Sequence, residues 1–248
     1  MLCGQSLKKV TGVFERAHHQ RIAQLLLALD GELFRAHHCL FGKGTAIALR
    51  YGEYRESVDV DFLVSNRDSY RHLRQLARGA TDLTPFMRAG LEPFTLEREI
   101  RTDQYGIRTM VNVSNVPIKF EIILEGRMEL ESPAAGDILC GVPTLTPVDM
   151  AASKLLANSD RWLDTGVFSR DLIDLAMMEL PLSTLRLAVA KAEQAYGKAI
   201  LLDLDKAINR LAENQGLLDR CIQIMAVTLP KAVLWANIRK LRRILPDQ

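Results

Sequence analysis

The stretch from Phe41 to Val64, FGKGTAIALRYGEYRESVDVDFLV, constrains the chain most, because a glycine-rich turn, a short helical run and an alternating strand follow one another there. In the strand, Val58, Val60 and Phe62 point to one side while Asp59, Asp61 and Leu63 point to the other, since successive strand side chains alternate between faces. The two aspartates then share a face about 7 Å apart along the strand. Oxygen ligands at that spacing suit Mg²⁺, which takes a carboxylate or two from a protein and the rest from water and substrate phosphates. Gly42 and Gly44 bracket Lys43 where an apolar run, His38 to Phe41, gives way to a helical one, Thr45 to Tyr51. Backbone amides and a helix N-terminus could face an anion at that turn.

A third acid lies further on. Phe94 to Ile100, Ile107 to Val113 and Pro117 to Leu124 read as strands, the last two joined by Ser114-Asn115-Val116 as a hairpin. In the final strand Ile118, Phe120, Ile122 and Leu124 face one way, and Lys119, Glu121 and Ile123 the other. Glu121 is a lone acid in an apolar strand. It reads either as an edge charge facing water or as the third carboxylate of a phosphoryl-transfer site, where two Mg²⁺ ions about 3.5 to 4 Å apart need bridging and flanking oxygens. Its position favours the second reading.

The helices carry further candidates. Phe14, His18, Ile22, Leu25, Leu26, Leu29 and Leu33 recur at three- and four-residue steps, which predicts one amphipathic helix from Phe14 to Phe34. The pairs His18-His19 and His37-His38 suggest metal, but adjacent helical residues diverge by about 100°, so helix surface and strand entry explain them better. Ser65 or Asn66 can cap a helix running to about Gly79, with Tyr70, Leu73, Leu76 and Ala77 as its buried stripe. Arg67, Arg71, Arg74 and Arg78 form a ridge on another face, suited to a polynucleotide backbone or a triphosphate, or simply solvated. From Thr146 the chain turns almost wholly helical, starting at Thr146, Pro147 and Asp149. Lys154, Asn158 and Arg161 make a polar stripe there; the two cations could hold the tail of a triphosphate or lie exposed. Ser169 caps the next helix, in which Arg170 can pair with Asp174, with Asp171 beside them. Later helices break near Gly197, Gly216 and Pro230.

The 248 residues suffice for two lobes, placed at 1–144 and 145–248. A net charge of +2 does not by itself call for nucleic acid. Cys3, Cys39, Cys140 and Cys221 lie too far apart for a zinc spacing and read as reduced, mostly buried thiols. The longest apolar run, Leu25 to Leu29, is far short of a membrane span, and MLCGQSLKKV lacks the apolar core of a signal peptide. A cytoplasmic protein without membrane partners is expected.

Taken together, Gly42-Lys43-Gly44-Thr45-Ala46, the run Arg55 to Phe62, the strand around Glu121 and the block from Lys154 to Asp174 make the chain resemble the DNA polymerase β-like nucleotidyltransferases, and within them the AbiEii/AbiGii toxin-type family. The resemblance implies an α/β (α+β) fold: a mixed sheet flanked by helices, then a C-terminal helical bundle. It implies that Gly42, Gly44 and Thr45 cradle an NTP triphosphate, that Asp59 and Asp61 bind two Mg²⁺ ions, and that Glu121 completes the site. Lys154 and Arg161 would neutralise phosphates, and Arg55 and Ser57 would contact phosphate or fix the loop. Lys43 stands where members carry glycine; it either adds a phosphate contact or crowds the nucleotide. The implied reaction moves a nucleoside monophosphate from an NTP to a hydroxyl of RNA such as tRNA, or of a protein, in a growth-arrest role opposed by an antitoxin. A catalytically silent NTP-binding module and an aminoglycoside-type small-molecule transferase are the alternatives.

Overall fold

In a computed structural model, the structure describes residues 14–214 and 216–246; Cys3 and the N-terminal stretch MLCGQSLKKV lie outside them. The chain divides into two compact units, one comprising the described residues up to Leu49 together with Ser57–Thr146, the other Arg50–Glu56 together with the residues from Pro147 onward. The short segment Arg50–Glu56, which the sequence places inside the first lobe, belongs to the second unit.

Among the described residues, the first unit opens with helices α1 (Ala17–Ala28) and α2 (Gly31–Ala36). The sequence predicts one continuous helix here, but it breaks at Leu29, whose backbone is extended. Asp30 then caps α2, its Oδ1 accepting from the amides of Glu32 and Leu33, both at 3.1 Å. The cap outweighs the unbroken apolar periodicity. Strand β1 (Leu40–Phe41), helix α3 (Lys43–Arg50), strand β2 (Val60–Val64) and helix α4 (Arg67–Ala77) follow. Asn66 caps α4 by accepting from the Ser69 amide at 2.8 Å. Strands β3 (Leu96–Thr102), β4 (Gly106–Val113) and β5 (Val116–Leu124) complete the sheet, and β6 (Ile138–Leu139) pairs with β7 (Val142–Pro143) in a small ribbon.

The five strands lie in the order β1-β2-β5-β4-β3, with β2 and β5 parallel and the other pairs antiparallel. Hairpin β4–β5 turns through Ser114 and Asn115 alone, both with positive φ (53° and 62°), so Val116 already belongs to the strand. That geometry matches the twist of the flanking strands. One face of the sheet carries the core. Phe62 on β2 packs against Phe34, Phe41 and Phe120, with ring centroids 4.4, 5.5 and 5.9 Å away, and Phe86 extends the row. All five rings are fully buried.

The second unit is a helical bundle: α5 (Pro147–Arg161), α6 (Arg170–Met177), α7 (Leu182–Tyr196), α8 (Ala199–Glu213), α9 (Leu217–Ile224) and α10 (Lys231–Lys240). Helix α5 is its axis, packing against α6, α7 and α8. Pro147 opens α5, where its missing N–H costs nothing. Ser169 precedes α6 at the cap position but in a left-handed conformation, and its side chain makes no capping bond. Cys39 and Cys221 are buried, and Cys140 is half-buried. Among the described residues no helix is long and apolar enough to cross a membrane.

Because Phe62 joins three other rings, Phe62→Ala should lower the stability of the sheet unit by about 3–5 kcal/mol, read as a shift of the urea midpoint followed by far-ultraviolet circular dichroism.

Candidate active site

Strand pairing assembles the acids. In the parallel register of β2 and β5, Asp61 lies directly beside Glu121. On the other side of Glu121, the antiparallel register of β4 sets Arg108, and beyond it β3 sets Arg101. Asp61 and Glu121 are only 7% and 6% exposed. Asp59, the residue two before Asp61, lies just ahead of β2 and is half-buried. Val58, predicted to share the apolar face, is exposed instead.

Cations surround this row. Lys119 Nζ is 2.8 Å from Glu121 Oε2, and Arg108 Nε is 3.2 Å from Glu121 Oε1. Lys43 Nζ donates to Asp61 Oδ1 at 3.0 Å and stands 4.0 Å from Glu121 Oε2. Burial pushes the Asp61 carboxyl above its usual range; Lys43 opposes the shift, and Asp59 and Glu121 add to it. Burial would raise Glu121 too, but Lys119 and then Lys43 override it and hold Glu121 below its ordinary value. The electrostatics thus separate the two acids: Glu121 is a fixed anion and Asp61 the more readily protonated group.

The turn before α3 is shaped to bring Lys43 there. Gly42 is buried, and a Cβ on it would meet Leu145 Cδ1 at 2.6 Å, so close packing requires the glycine. Its amide donates to the Asp61 carbonyl at 2.9 Å, so this N–H is engaged with the sheet rather than turned to a ligand. Lys43 adopts φ 55°, the left-handed region that glycine enters without strain. Thr45 is buried, its Oγ1 2.8 Å from Ser57 Oγ, while Gly44 is half-buried at the start of α3.

Two histidines hold the approach to Asp59. Buried His19 accepts from the Ser57 amide through Nε2 at 3.1 Å, and His18 Nε2 lies 3.1 Å from the Val58 carbonyl. The sequence assigns this pair to helix surface and strand entry; the contacts across about 40 residues, invisible to local periodicity, make it a brace for the segment that delivers the acids. Arg108 escapes sequence reasoning for a similar reason, since only strand register sets it beside Glu121, whereas Lys119 shares a face with Glu121 by the alternation of its own strand.

The donor set suits a hard divalent cation. Asp61 and Glu121 are adjacent, Asp59 is near enough to act on Asp61, and Lys43 already places a positive charge at Asp61 Oδ1. Among the described residues no three His, Cys, Asp or Glu side chains are gathered closely enough to hold a metal ion, so Asp61 and Glu121 stand side by side without Asp59 closing a three-carboxylate set around them.

The remaining candidates sit in the helical unit as one buried ion cluster. Arg55 forks onto Asp174, Nε to Oδ1 at 2.6 Å and Nη2 to Oδ2 at 2.9 Å, and Tyr54 donates to the same Oδ1 at 2.5 Å. Lys154 Nζ reaches Asp174 Oδ2 at 2.6 Å and Asp171 Oδ1 at 3.0 Å, while Arg161 grips Asp171 through Nε at 2.7 Å and Nη2 at 3.0 Å. Asp174 therefore pairs with Arg55 and Lys154 rather than with its helical neighbour Arg170, which is exposed. Arg55 fixes its loop, also donating to the Glu56 carbonyl at 2.7 Å. In the arginine ridge, Arg71 pairs with Asp68 at 2.7 Å and Arg74 reaches the Asp103 carbonyl at 3.5 Å.

Burial would raise both Asp171 and Asp174, but Lys154 and Arg161 hold the first well below the usual carboxylate range, and Arg55 and Lys154 hold the second below its ordinary value. Depressed folded values mean stability that is complete above the unfolded carboxylate pKa and lost as pH falls through the folded values. Asp174→Asn should cost about 3–5 kcal/mol at pH 7 by leaving Arg55 buried without its counter-charge and should flatten the acid limb of the stability curve. Calorimetric melting from pH 7 to pH 2 measures both, and an unaltered acid limb would count against the assignment.

Two solved structures align along nearly the whole chain. One is a candidate nucleotidyltransferase from Helicobacter pylori, 16% identical, covering 97% of this chain and 99% of its own with a TM-score of 0.36. The other is JHP933 from Helicobacter pylori, 15% identical, covering 98% and 97% with a TM-score of 0.34. No curated protein matches the chain. The family described as nucleotidyl transferase AbiEii toxin, type IV TA system, matches residues 24–236, and the chain belongs to that family.

Proposed function

We propose that the chain transfers a nucleoside monophosphate from an NTP to an acceptor hydroxyl of RNA such as tRNA, or of a protein, and acts as the toxin of a pair with an antitoxin. The observation that carries this reading is the in-register pairing of Asp61 with Glu121, two buried carboxylates on adjacent parallel strands with Asp59 close by. The acceptor oxygen bonds to the α-phosphorus while the bond to the bridging oxygen breaks, releasing pyrophosphate. Mg²⁺ held by Asp59, Asp61 and Glu121 would neutralise developing charge and align the attacking and leaving oxygens. Glu121, kept ionised by its neighbours, serves as ligand or takes the proton of the hydroxyl. The first amides of α3, which have no intrahelical acceptor, together with Thr45 and Ser57, would face the triphosphate.

Lys43 has two stations in this scheme. In the free protein it is the counter-ion of Asp61; were a cation held by the acids, its ammonium would be free to meet a phosphate oxygen. The same contact is what favours a second reading, a silent NTP-binding module in which the lysine permanently blocks the acid.

Label from an α-³²P NTP should pass to total RNA or cell protein in the presence of Mg²⁺, and Asp61→Asn should cut transfer at least about a hundredfold with the circular dichroism spectrum intact. Absence of transfer to any acceptor, aminoglycosides included, sinks the enzymatic reading. Lys43→Gly, which removes the charge and suits the left-handed backbone, should tighten Mn²⁺ binding about fivefold in an electron paramagnetic resonance titration. Unchanged or weaker Mn²⁺ binding would show that the lysine does not compete for Asp61.

A further inference from the structure

On α5, Asn158 stands one turn after Lys154 and one turn before Arg161, so the three side chains share a helix face. Both flanking cations grip the same carboxylate, Asp171. Between them Asn158 is 3% exposed, and its Nδ2 is buried with no hydrogen-bond partner, the one such side-chain atom among the described residues. Buried amide donors are almost always met, because leaving one unmet forfeits the bond it made to water. This one is left unmet beside an excess of positive charge. Arg55, Lys154 and Arg161 face two buried carboxylates, Asp171 and Asp174, and Asp160 adds only an exposed, screened charge near Arg161. The cluster also opens outward, since the Arg161 side chain is 36% exposed.

We propose that Asn158 is a binding position for an oxygen of an oligophosphate, its Nδ2 donating to that oxygen while Lys154 and Arg161 supply the charge. A terminal oligophosphate concentrates several negative charges at one point, which fits a single donor between two cations. A phosphodiester chain spreads one charge per nucleotide and calls for a groove lined along its length. Identifying the oligophosphate as the tail of an NTP rests on the function proposed above; the phosphate contact itself does not.

Calorimetric titration of the full chain with inorganic tripolyphosphate, without divalent cations, tests the contact, with a short single-stranded RNA lacking a terminal phosphate as the second ligand. Asn158→Leu should weaken tripolyphosphate binding about tenfold, leave RNA binding unchanged, and melt at the same or a higher temperature when ligand-free, because an apolar side chain replaces an unmet donor. Tripolyphosphate binding equal to that of the wild type overturns the proposal, as does a loss confined to RNA. A lower melting temperature of the ligand-free variant also overturns it, since the amide would then be satisfied without a ligand. Asn158→Asp keeps the volume and adds a negative charge; it should abolish tripolyphosphate binding, and binding retained in that variant overturns the proposal even should the leucine variant not fold. If the wild type binds tripolyphosphate through Asn158 yet transfers no label from any NTP, the function fails and the phosphate contact stands.

Discussion

The parallel pairing of β2 with β5 is the constraint on which the sheet unit depends. It sets Asp61 against Glu121 in a place where water reaches neither freely. Two carboxylates so placed repel, and each loses hydration as well. The surrounding architecture answers that cost with positive charge. Lys119 and Arg108 come from the same strand and the next one, and Lys43 comes from a turn held by the close approach of Gly42 to Leu145. The result is an acid pair held in tension, whose counter-ions are the side chains of Lys43, Lys119 and Arg108.

The helical unit solves a similar problem in a different way. Around Asp171 and Asp174 the cations Arg55 and Lys154 are as buried as the acids they face, with forked geometry and a tyrosine hydroxyl filling the remaining acceptor capacity. Neither Arg55 nor Lys154 can leave without exposing a bare charge to a dry interior, whereas Arg161 reaches the edge of the cluster. Around Asp61 and Glu121, by contrast, the cations are a third to nearly half exposed and can exchange with solvent or a ligand. Exposure of the cation separates a contact that can change partners from one that cannot.

Much of this was legible in the sequence wherever the signal is local. Alternation along residues 60–63 marks the face of Asp61, though it does not extend back to Val58, the apolar strand isolates Glu121, and Asn66 and Pro147 announce their helices. What could not be read depends on partners distant along the chain. Arg108 meets Glu121 only through strand register, His19 reaches Ser57 across 38 residues, and Arg55 meets Asp174 across 119. For Asp174, helical spacing offers Arg170 as a plausible local partner, and a stronger, buried, forked contact wins. The break at Leu29 fails differently: the capping aspartate was visible, but apolar residues on both sides kept the helical period and hid it.

Segment Arg50–Glu56 has a consequence for how the chain can be divided. Residues on either side of it belong to the sheet unit, yet its own contacts are with the bundle: Tyr54 and Arg55 bond Asp174, the Glu56 amide donates to the Met225 carbonyl at 3.0 Å, and the Thr228 amide donates to the Tyr54 carbonyl at 3.0 Å. No single cut of the polypeptide therefore yields two self-sufficient pieces. A fragment ending at Thr146 would carry Tyr54 and Arg55 without the carboxylate that neutralises them, and a fragment starting at Pro147 would retain Asp174 with its arginine missing. Limited proteolysis in the loop before α5 would leave two pieces that stay together, bound through a seven-residue span of one inserted into the fold of the other.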